Sequence, residues 1–204
     1  PVFWSKQNGE YFQRNLLNIM PLPLNWPVEV NYLEAKAFCA WKNQQSQGYI
    51  RLPTEAEWYC LDQQSTATSG QQSGLLSNTN LDHFCSSSPV DHFSCSDFFD
   101  VRGNVWQWTE SAIDGFAGFK VHPLYDDFST PTFDGKHNLI KGGSWISTGN
   151  ELIGSSRYAF RRHFYQHAGF RYVESPNQQI PTTEVNRFES DVAICQQLEQ
   201  QYGE

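Results

Sequence analysis

The sequence predicts an irregular α+β domain, and three observations carry that expectation. Two stretches have helical periodicity with start signals of their own. The apolar runs suited to strands are few and short. The segments between them are long, rich in Gly, Pro, Asn and Asp, and dense in aromatic residues. At 204 residues the chain is long enough to bury a core without disulfides or metals. Aromatic residues make up 15% of it and charged residues 18%, a balance unlike that of a disordered segment or a coiled coil.

Residues 27–45 read as the first helix. Asn31 is its N-cap, Glu34 three positions on closes a capping box, and Leu33, Ala37, Ala40 and Trp41 form an apolar stripe. Thr54 and Glu57 repeat the start signal ahead of Trp58, opening a second helix. From residue 62 to 96 the composition shifts to Ser, Gln, Asn, Thr and Gly. That stretch is too polar and too long for an ordinary connection, so it is a functional loop or a mobile insert. Order returns at Phe98, and Val105, Trp106 and Trp108 read as a strand leaving a glycine turn at Gly103. Residues 113–137 read as loop. Residues 139–146 read as a strand broken at Gly142-Gly143, where backbone closely meets backbone or ligand, and 168–173 as a last short strand. Beyond Glu174 comes a linker containing Pro, Gln and Thr, then a polar helix, and no internal repeat is present.

Charge and cysteine usage narrow the function. A formal net charge of −8 argues against nucleic acid and anionic membranes as partners, since both require basic patches. No apolar run approaches the roughly 18–20 residues of a membrane span. Cys39, Cys60, Cys85, Cys95 and Cys195 form no C-x-x-C pair, which leaves neither a zinc knuckle nor a thioredoxin-type site. They read as reduced cysteines of a cytoplasmic protein, with Cys39 and Cys60 packed in their helices. A start at Pro1 and an end inside a polar helical stretch lead to the expectation of a piece of a longer polypeptide.

Four motifs then occur in a fixed order: Leu52-Pro53-Thr54-Glu55-Ala56-Glu57-Trp58, Gly103-Asn104-Val105-Trp106-Gln107-Trp108, Gly142-Gly143-Ser144-Trp145 and Gly169-Phe170-Arg171. Over residues 24–174 the chain resembles sulfatase-modifying-factor, or formylglycine-generating-enzyme, domains. The resemblance implies a C-type-lectin-like form of the α+β fold. It makes residues 1–23 a lead-in from a preceding domain, and residues 175–204 a linker and polar helix toward a methyltransferase domain. Formylglycine generation needs a cysteine pair after the Gly-Gly-Ser motif, and residues 146–172 contain no cysteine, so the resemblance does not extend to that activity.

A finer likeness lies in His122-Pro123-Leu124-Tyr125-Asp126-Asp127-Phe128, Phe133-Asp134-Gly135-Lys136-His137-Asn138 and the run from Ser156 to His167. These resemble the 5-histidylcysteine sulfoxide synthases of ovothiol biosynthesis, with the ergothioneine enzymes more distant. Such enzymes use Fe(II) and O2 to join the sulfur of L-cysteine to the imidazole of L-histidine. The resemblance places the iron ligands outside this chain, in an N-terminal DinB-like domain with a His-x3-His-x-Glu motif and a further histidine.

It also implies roles for particular residues. Tyr125 matches the active-site tyrosine, a donor of a proton or hydrogen bond; a core or interface tyrosine is the alternative, and Phe133 marks an alternative register. Gln166, His167 and Arg171 fall where the related enzymes contact the sulfur substrate, and a planar guanidinium suits a carboxylate there. A structural salt bridge is the alternative for Arg171. His163 and His167 have i, i+4 spacing, but Gly169 stands where the iron motif has glutamate, so one histidine is expected to be structural and the other to face the site. Trp106, Trp108 and Trp145 are expected in the core. Domains of this family can bind calcium near the Gly103–Trp108 turn, and Asp100 matches a ligand position. But Gln107 replaces a glutamate and the lost charge weakens a hard-cation site, so Asp100 is a weak calcium candidate and no metal ligand is assigned. The rival function is a lectin-like binding module that displays residues 62–96 and 116–133 as loops.

Overall fold

The computed structural model describes residues 1–68, 77–95, 97–122, 124 and 130–176, so Tyr125 and the tail beyond residue 176 lie outside the described residues. Strands β1 (Trp4–Gln7), β2 (Glu10–Arg14) and β3 (Ile19–Pro21) form an antiparallel three-stranded sheet. Its first turn is Asn8-Gly9, with φ of 51° and 90°, the left-handed pair that a two-residue hairpin needs to match strand twist. Sequence reading assigns no element here.

Helix α1 (Tyr32–Asn43) starts as the sequence predicts. Asn31 Oδ1 accepts from the Glu34 N–H at 2.9 Å, and Glu34 Oε2 accepts from the Asn31 N–H at 3.1 Å. Residues 27–30 are not helical, because the Val30 N–H donates to the Ala168 carbonyl at 2.8 Å and holds that segment against another strand. The buried face of α1 carries Tyr32, Ala35 and Cys39, while Ala37, Ala40 and Trp41 are exposed. Both sets recur at helical spacing. Trp108, from a distant part of the chain, selects the first set by packing edge-on against Tyr32.

Strand β4 (Tyr49–Arg51) leads into helix α2 (Glu55–Thr68), and the second start signal also holds. Glu57 Oε2 accepts from the Thr54 N–H at 2.8 Å and Thr54 Oγ1 accepts from the Glu57 N–H at 3.2 Å. Arg51 grips the same carboxylate through two bonds of 2.6 Å, which holds Glu57 below the usual carboxylate range. α2 continues through residues 62–68, which the composition marks as loop. Asp62 is the reason: Arg102 binds it at 2.6 and 2.7 Å, tying the polar half of the helix to the domain. Cys60 is exposed on α2, not packed, whereas Cys39 is buried and burial pushes its thiol up to about 11.

A short hairpin of β5 (Ser94–Cys95) and β6 (Phe98–Phe99) precedes β7 (Trp106–Ala112). With β8 (His137–Lys141), β9 (Tyr158–Arg161) and β10 (Ala168–Gly169) it makes a four-stranded sheet in the order β10-β7-β8-β9, antiparallel except for the β10–β7 pair. Strand β11 (Val173–Ser175) pairs with β4. Two expected strands are therefore revised. The one placed at 139–146 ends at Lys141, because Gly142 and Gly143 take φ of 95° and 80° and turn the chain away. The one placed at 168–173 is two strands in different sheets, with residues 170–172 crossing between them.

β7 is buried on both faces. Trp106 and Trp108 join Val30, Tyr32, Ala35, Cys39, Ile140 and Ala168 in the core beneath α1. The Trp108 indole is wholly buried and donates to the Val30 carbonyl at 2.9 Å. On the opposite face Gln107 meets α2, where its Oε1 accepts from the Trp58 indole at 3.2 Å. Trp106, Trp108 and Trp145 are all buried, as expected. One strand thus joins both helices and presents its N-terminal end to the turns described next.

Candidate functional site

The turn that feeds β7 and the turn that ends β8 are hydrogen-bonded into one structure. The Gly103 N–H donates to the Gly142 carbonyl at 2.8 Å, and the Trp145 N–H donates to the Asn104 carbonyl at 2.9 Å. The Asn104 side chain, on a backbone with φ of 62°, accepts from the Ser88 N–H at 2.9 Å and donates to the Ser88 carbonyl at 3.1 Å. The Asn104 N–H donates to the Asn78 carbonyl at 2.8 Å, so residues at the far end of the polar insert are part of this hub. From the other side the Trp106 N–H donates to the His167 carbonyl at 2.9 Å. Motifs distant in sequence converge on the N-terminal end of β7.

Two cavities flank the hub. The first, about 330 Å³, is lined by Phe99, Asp100, Gln107, Phe170 and Arg171 among others. Arg171 Nε donates to Gln107 Oε1 at 2.6 Å, and Nη2 donates to the carbonyls of Phe99 and Asp100 at 3.0 and 3.2 Å. The guanidinium fork is engaged inside the fold, linking the strand-crossing segment to the end of β6. A lysine would keep the charge and lose the bridge, and a hydrogen bond from a charged donor is worth about 1.5–3 kcal/mol. Arg171→Lys is therefore expected to lower the free energy of unfolding by about 2–3 kcal/mol in urea titrations. An unchanged midpoint would contradict this role.

Asp100 sits in the same cavity at φ 49°. Its Oδ2 accepts from the Asn104 amide at 2.9 Å, while Oδ1 is buried without a hydrogen-bond partner among the described residues. Burial pushes this carboxyl up to about 6, against the opposing pull of the Asn104 amide and Arg171. The oxygens beside it do not suit calcium. Gln107 Oε1 and the two carbonyls already accept from Arg171, and a dication there would stand against a fixed positive charge.

The sign of the pH effect follows. A carboxyl raised by folding contributes stability that is complete below its ordinary value of 3.8 and is lost as pH rises through about 6. Relative to Asp100→Asn, the protein is expected to lose about 1–2 kcal/mol between acid and neutral pH, after discounting for the exposed part of the group. Parallel stability curves for the two proteins over that window would refute it.

The second cavity, about 290 Å³, is lined by Phe3, Arg14, Glu29, Ser86, Trp145 and His167 among others. His167 Nδ1 lies 2.9 Å from Glu29 Oε2, and its ring packs on Trp145 at 4.6 Å and on Phe3 at 6.2 Å between centroids. Gln166 beside it is half-buried, and its carbonyl accepts from the Ala168 N–H at 2.7 Å. His163 is exposed against Phe164 in the connection between β9 and β10, so its spacing from His167 is not helical. Of the residues singled out by sequence, His167 lines the second cavity and Arg171 the first, and Tyr125 lies outside the described residues. Phe3, Arg14 and Glu29 escape sequence reading. The Asn8-Gly9 hairpin signal was available, and the Arg14 N–H donating to the Phe3 carbonyl at 2.8 Å is part of the sheet it builds.

Residues 2–176 match the sulfatase-modifying factor enzyme 1-like domain. The chain belongs to that family. The match includes β1 to β3 as well as the motif hub. The chain is 30% identical over 183 residues to ergothioneine biosynthesis protein 1 of Schizosaccharomyces pombe, covering 85% of this chain and 21% of the relative. It is 30% identical over 158 residues to a hercynine oxygenase of Mycobacterium tuberculosis, covering 71% of this chain and 35% of the relative. The chain thus spans only a minor part of the length of either relative. Among solved structures, that of CarF superposes with a TM-score of 0.56 at 19% identity, over 85% of this chain and 77% of that one, a likeness of fold alone. The α+β lectin-like architecture implied by the family motifs is the one observed.

Among the described residues no group of three or more His, Cys, Asp or Glu side chains is placed to hold a metal ion. No helix among the described residues is long and apolar enough to cross a membrane.

Proposed function

We propose that this chain is the C-terminal, substrate-facing part of an iron- and O2-dependent sulfoxide synthase that couples L-cysteine to L-histidine, as in ovothiol biosynthesis. The observation that supports this most is the family match, joined to relatives named for ergothioneine biosynthesis and hercynine oxygenation at 30% identity. The cysteine-free stretch 146–172 argues against formylglycine generation within the same family. The net reaction balances without an external reductant. A thiol S–H and an imidazole C–H are lost, a C–S bond forms, one oxygen atom stays on sulfur and the other leaves as water.

Fe(II), supplied by ligands of a preceding DinB-like domain, would provide O2 activation, and a methyltransferase domain would be a further partner in a cytoplasmic polypeptide. This chain's residues then bind and orient. Tyr125 offers a phenol as donor, Gln166 and His167 belong to the substrate wall, and Arg171, its fork engaged by Gln107 and two carbonyls, braces the adjoining cavity. The Glu29 carboxylate can only accept, so His167 Nδ1 carries the proton toward it and Nε2 is the nitrogen left to face a ligand. The test is O2 uptake by the longer, iron-loaded polypeptide, expected to require both cysteine and histidine. Full uptake with cysteine alone would mark a thiol dioxygenase, and none with both substrates would leave a binding module.

A further inference from the structure

The second cavity has the charge pattern of a zwitterion's counterpart. Arg14 lines it, exposed, with its guanidinium 5.8 Å from the Phe3 ring centroid and with no carboxylate partner among the described residues. His167 lines the same cavity and is fixed by Glu29 on one nitrogen and by two aromatic rings, which leaves Nε2 as the nitrogen free to meet a ligand, with a carboxylate behind it. Trp145, only 2% exposed, lines the same space, and its indole N–H is buried without an acceptor. At about 290 Å³ the space is at the small end of ligand sites and suits a single metabolite.

We infer that this cavity binds one α-amino acid, its carboxylate on Arg14, its ammonium on His167 Nε2 with Glu29 behind, and its side chain against Phe3 and Trp145. A guanidinium is suited to a carboxylate because its donors are parallel and planar. A neutral imidazole whose other nitrogen is bound to a carboxylate is a good acceptor for an ammonium. Arg171, whose fork is engaged by Gln107 and two carbonyls, is not the anchor in this cavity. The inference rests on the sulfoxide-synthase reading only in its choice of amino acids as the ligand class.

The experiment is calorimetric and NMR titration of the 204-residue chain, without iron, using L-histidine and L-cysteine as separate probes. At least one should bind saturably and shift the His167 ring resonances. The corresponding amine lacking the carboxylate, and the Arg14→Ala variant, should each weaken binding by about tenfold or more, the equivalent of one charge-assisted contact. Glu29→Gln should weaken it too, because it removes the negative charge behind His167. Arg14 is exposed, so Arg14→Ala is expected to fold, and an unaltered circular dichroism spectrum checks that. If neither amino acid shifts His167, or if both bind Arg14→Ala as well as the parent, the site assignment fails. Because no turnover is read, the two ideas separate. Binding without sulfoxide formation in the longer protein would sink the enzyme reading alone, and turnover without binding here would sink this cavity alone.

Discussion

In the longer, iron-loaded polypeptide, Tyr125→Phe is expected to slow formation of the histidine–cysteine sulfoxide by about 10²–10⁴-fold, the usual loss on removing one general acid. Product should move toward cysteine sulfinic acid. The reason lies in the balance of the two reactions. Adding both atoms of O2 to a thiol gives the sulfinic acid with no hydrogen lost to water and no second substrate. Coupling must instead strip hydrogen from sulfur and from an imidazole carbon and release one oxygen as water, so it depends on a proton delivered in place. Phenylalanine keeps the ring and removes only that proton. The product ratio, read by mass spectrometry at matched O2 consumption, checks it. A wild-type ratio at a wild-type rate would remove Tyr125 from the mechanism and direct attention to Tyr158 and Tyr165, both exposed in the segment leading to His167.

Gly142→Ala is expected to be among the most damaging small substitutions in the fold. Gly142 has φ of 95°, a conformation that costs an L-residue about 1–2 kcal/mol. A Cβ there would also lie 2.7 Å from the Val101 carbonyl oxygen and 2.8 Å from Gln107 Nε2. Neither neighbour is free to retreat, because Gln107 Nε2 donates to that same carbonyl at 2.9 Å. Relief requires the two motif turns to part, breaking the Gly103–Gly142 bond. Strain plus overpacking is expected to remove about 3–5 kcal/mol, a large fraction of the ~5–15 kcal/mol that holds a domain together. Gly118→Ala is the control, since φ there is 84° but a Cβ would meet nothing within 4 Å. Its loss should be limited to the backbone term, and equal losses for the two variants would show that the close approach at Gly142 does not matter.

Features set by neighbours in sequence were readable from it. Both capping boxes, Asn31 with Glu34 and Thr54 with Glu57, are local exchanges between residues three apart, and both are present. The tryptophans of β7 are readable as core because two large indoles at alternate positions of a strand share one face, and such a face is more often buried than displayed. The buried face of α1 was not readable, since two stripes fit helical spacing and the choice between them is made by Trp108. The short N-terminal strands offer little alternation, and β1 is largely exposed, although the Asn8-Gly9 turn was visible. The second cavity was beyond reach for a different reason. Phe3, Arg14, Glu29, Trp145 and His167 come from separate segments, and only the fold brings them to one place. The planar fork of Arg171 is visible in the sequence, but its acceptors include two main-chain carbonyls, which leave no trace in side-chain sequence.

The chemistry proposed for this family member is tested most directly by the product that the longer, iron-loaded polypeptide makes from L-cysteine, L-histidine deuterated on the imidazole carbons and oxygen-18 gas. The expected product carries both amino acids joined through one sulfur, one oxygen-18 on that sulfur, and one imidazole deuterium fewer than the starting histidine. Recovery of cysteine sulfinic acid alone, or of coupled product only when hercynine replaces histidine, would contradict the assignment.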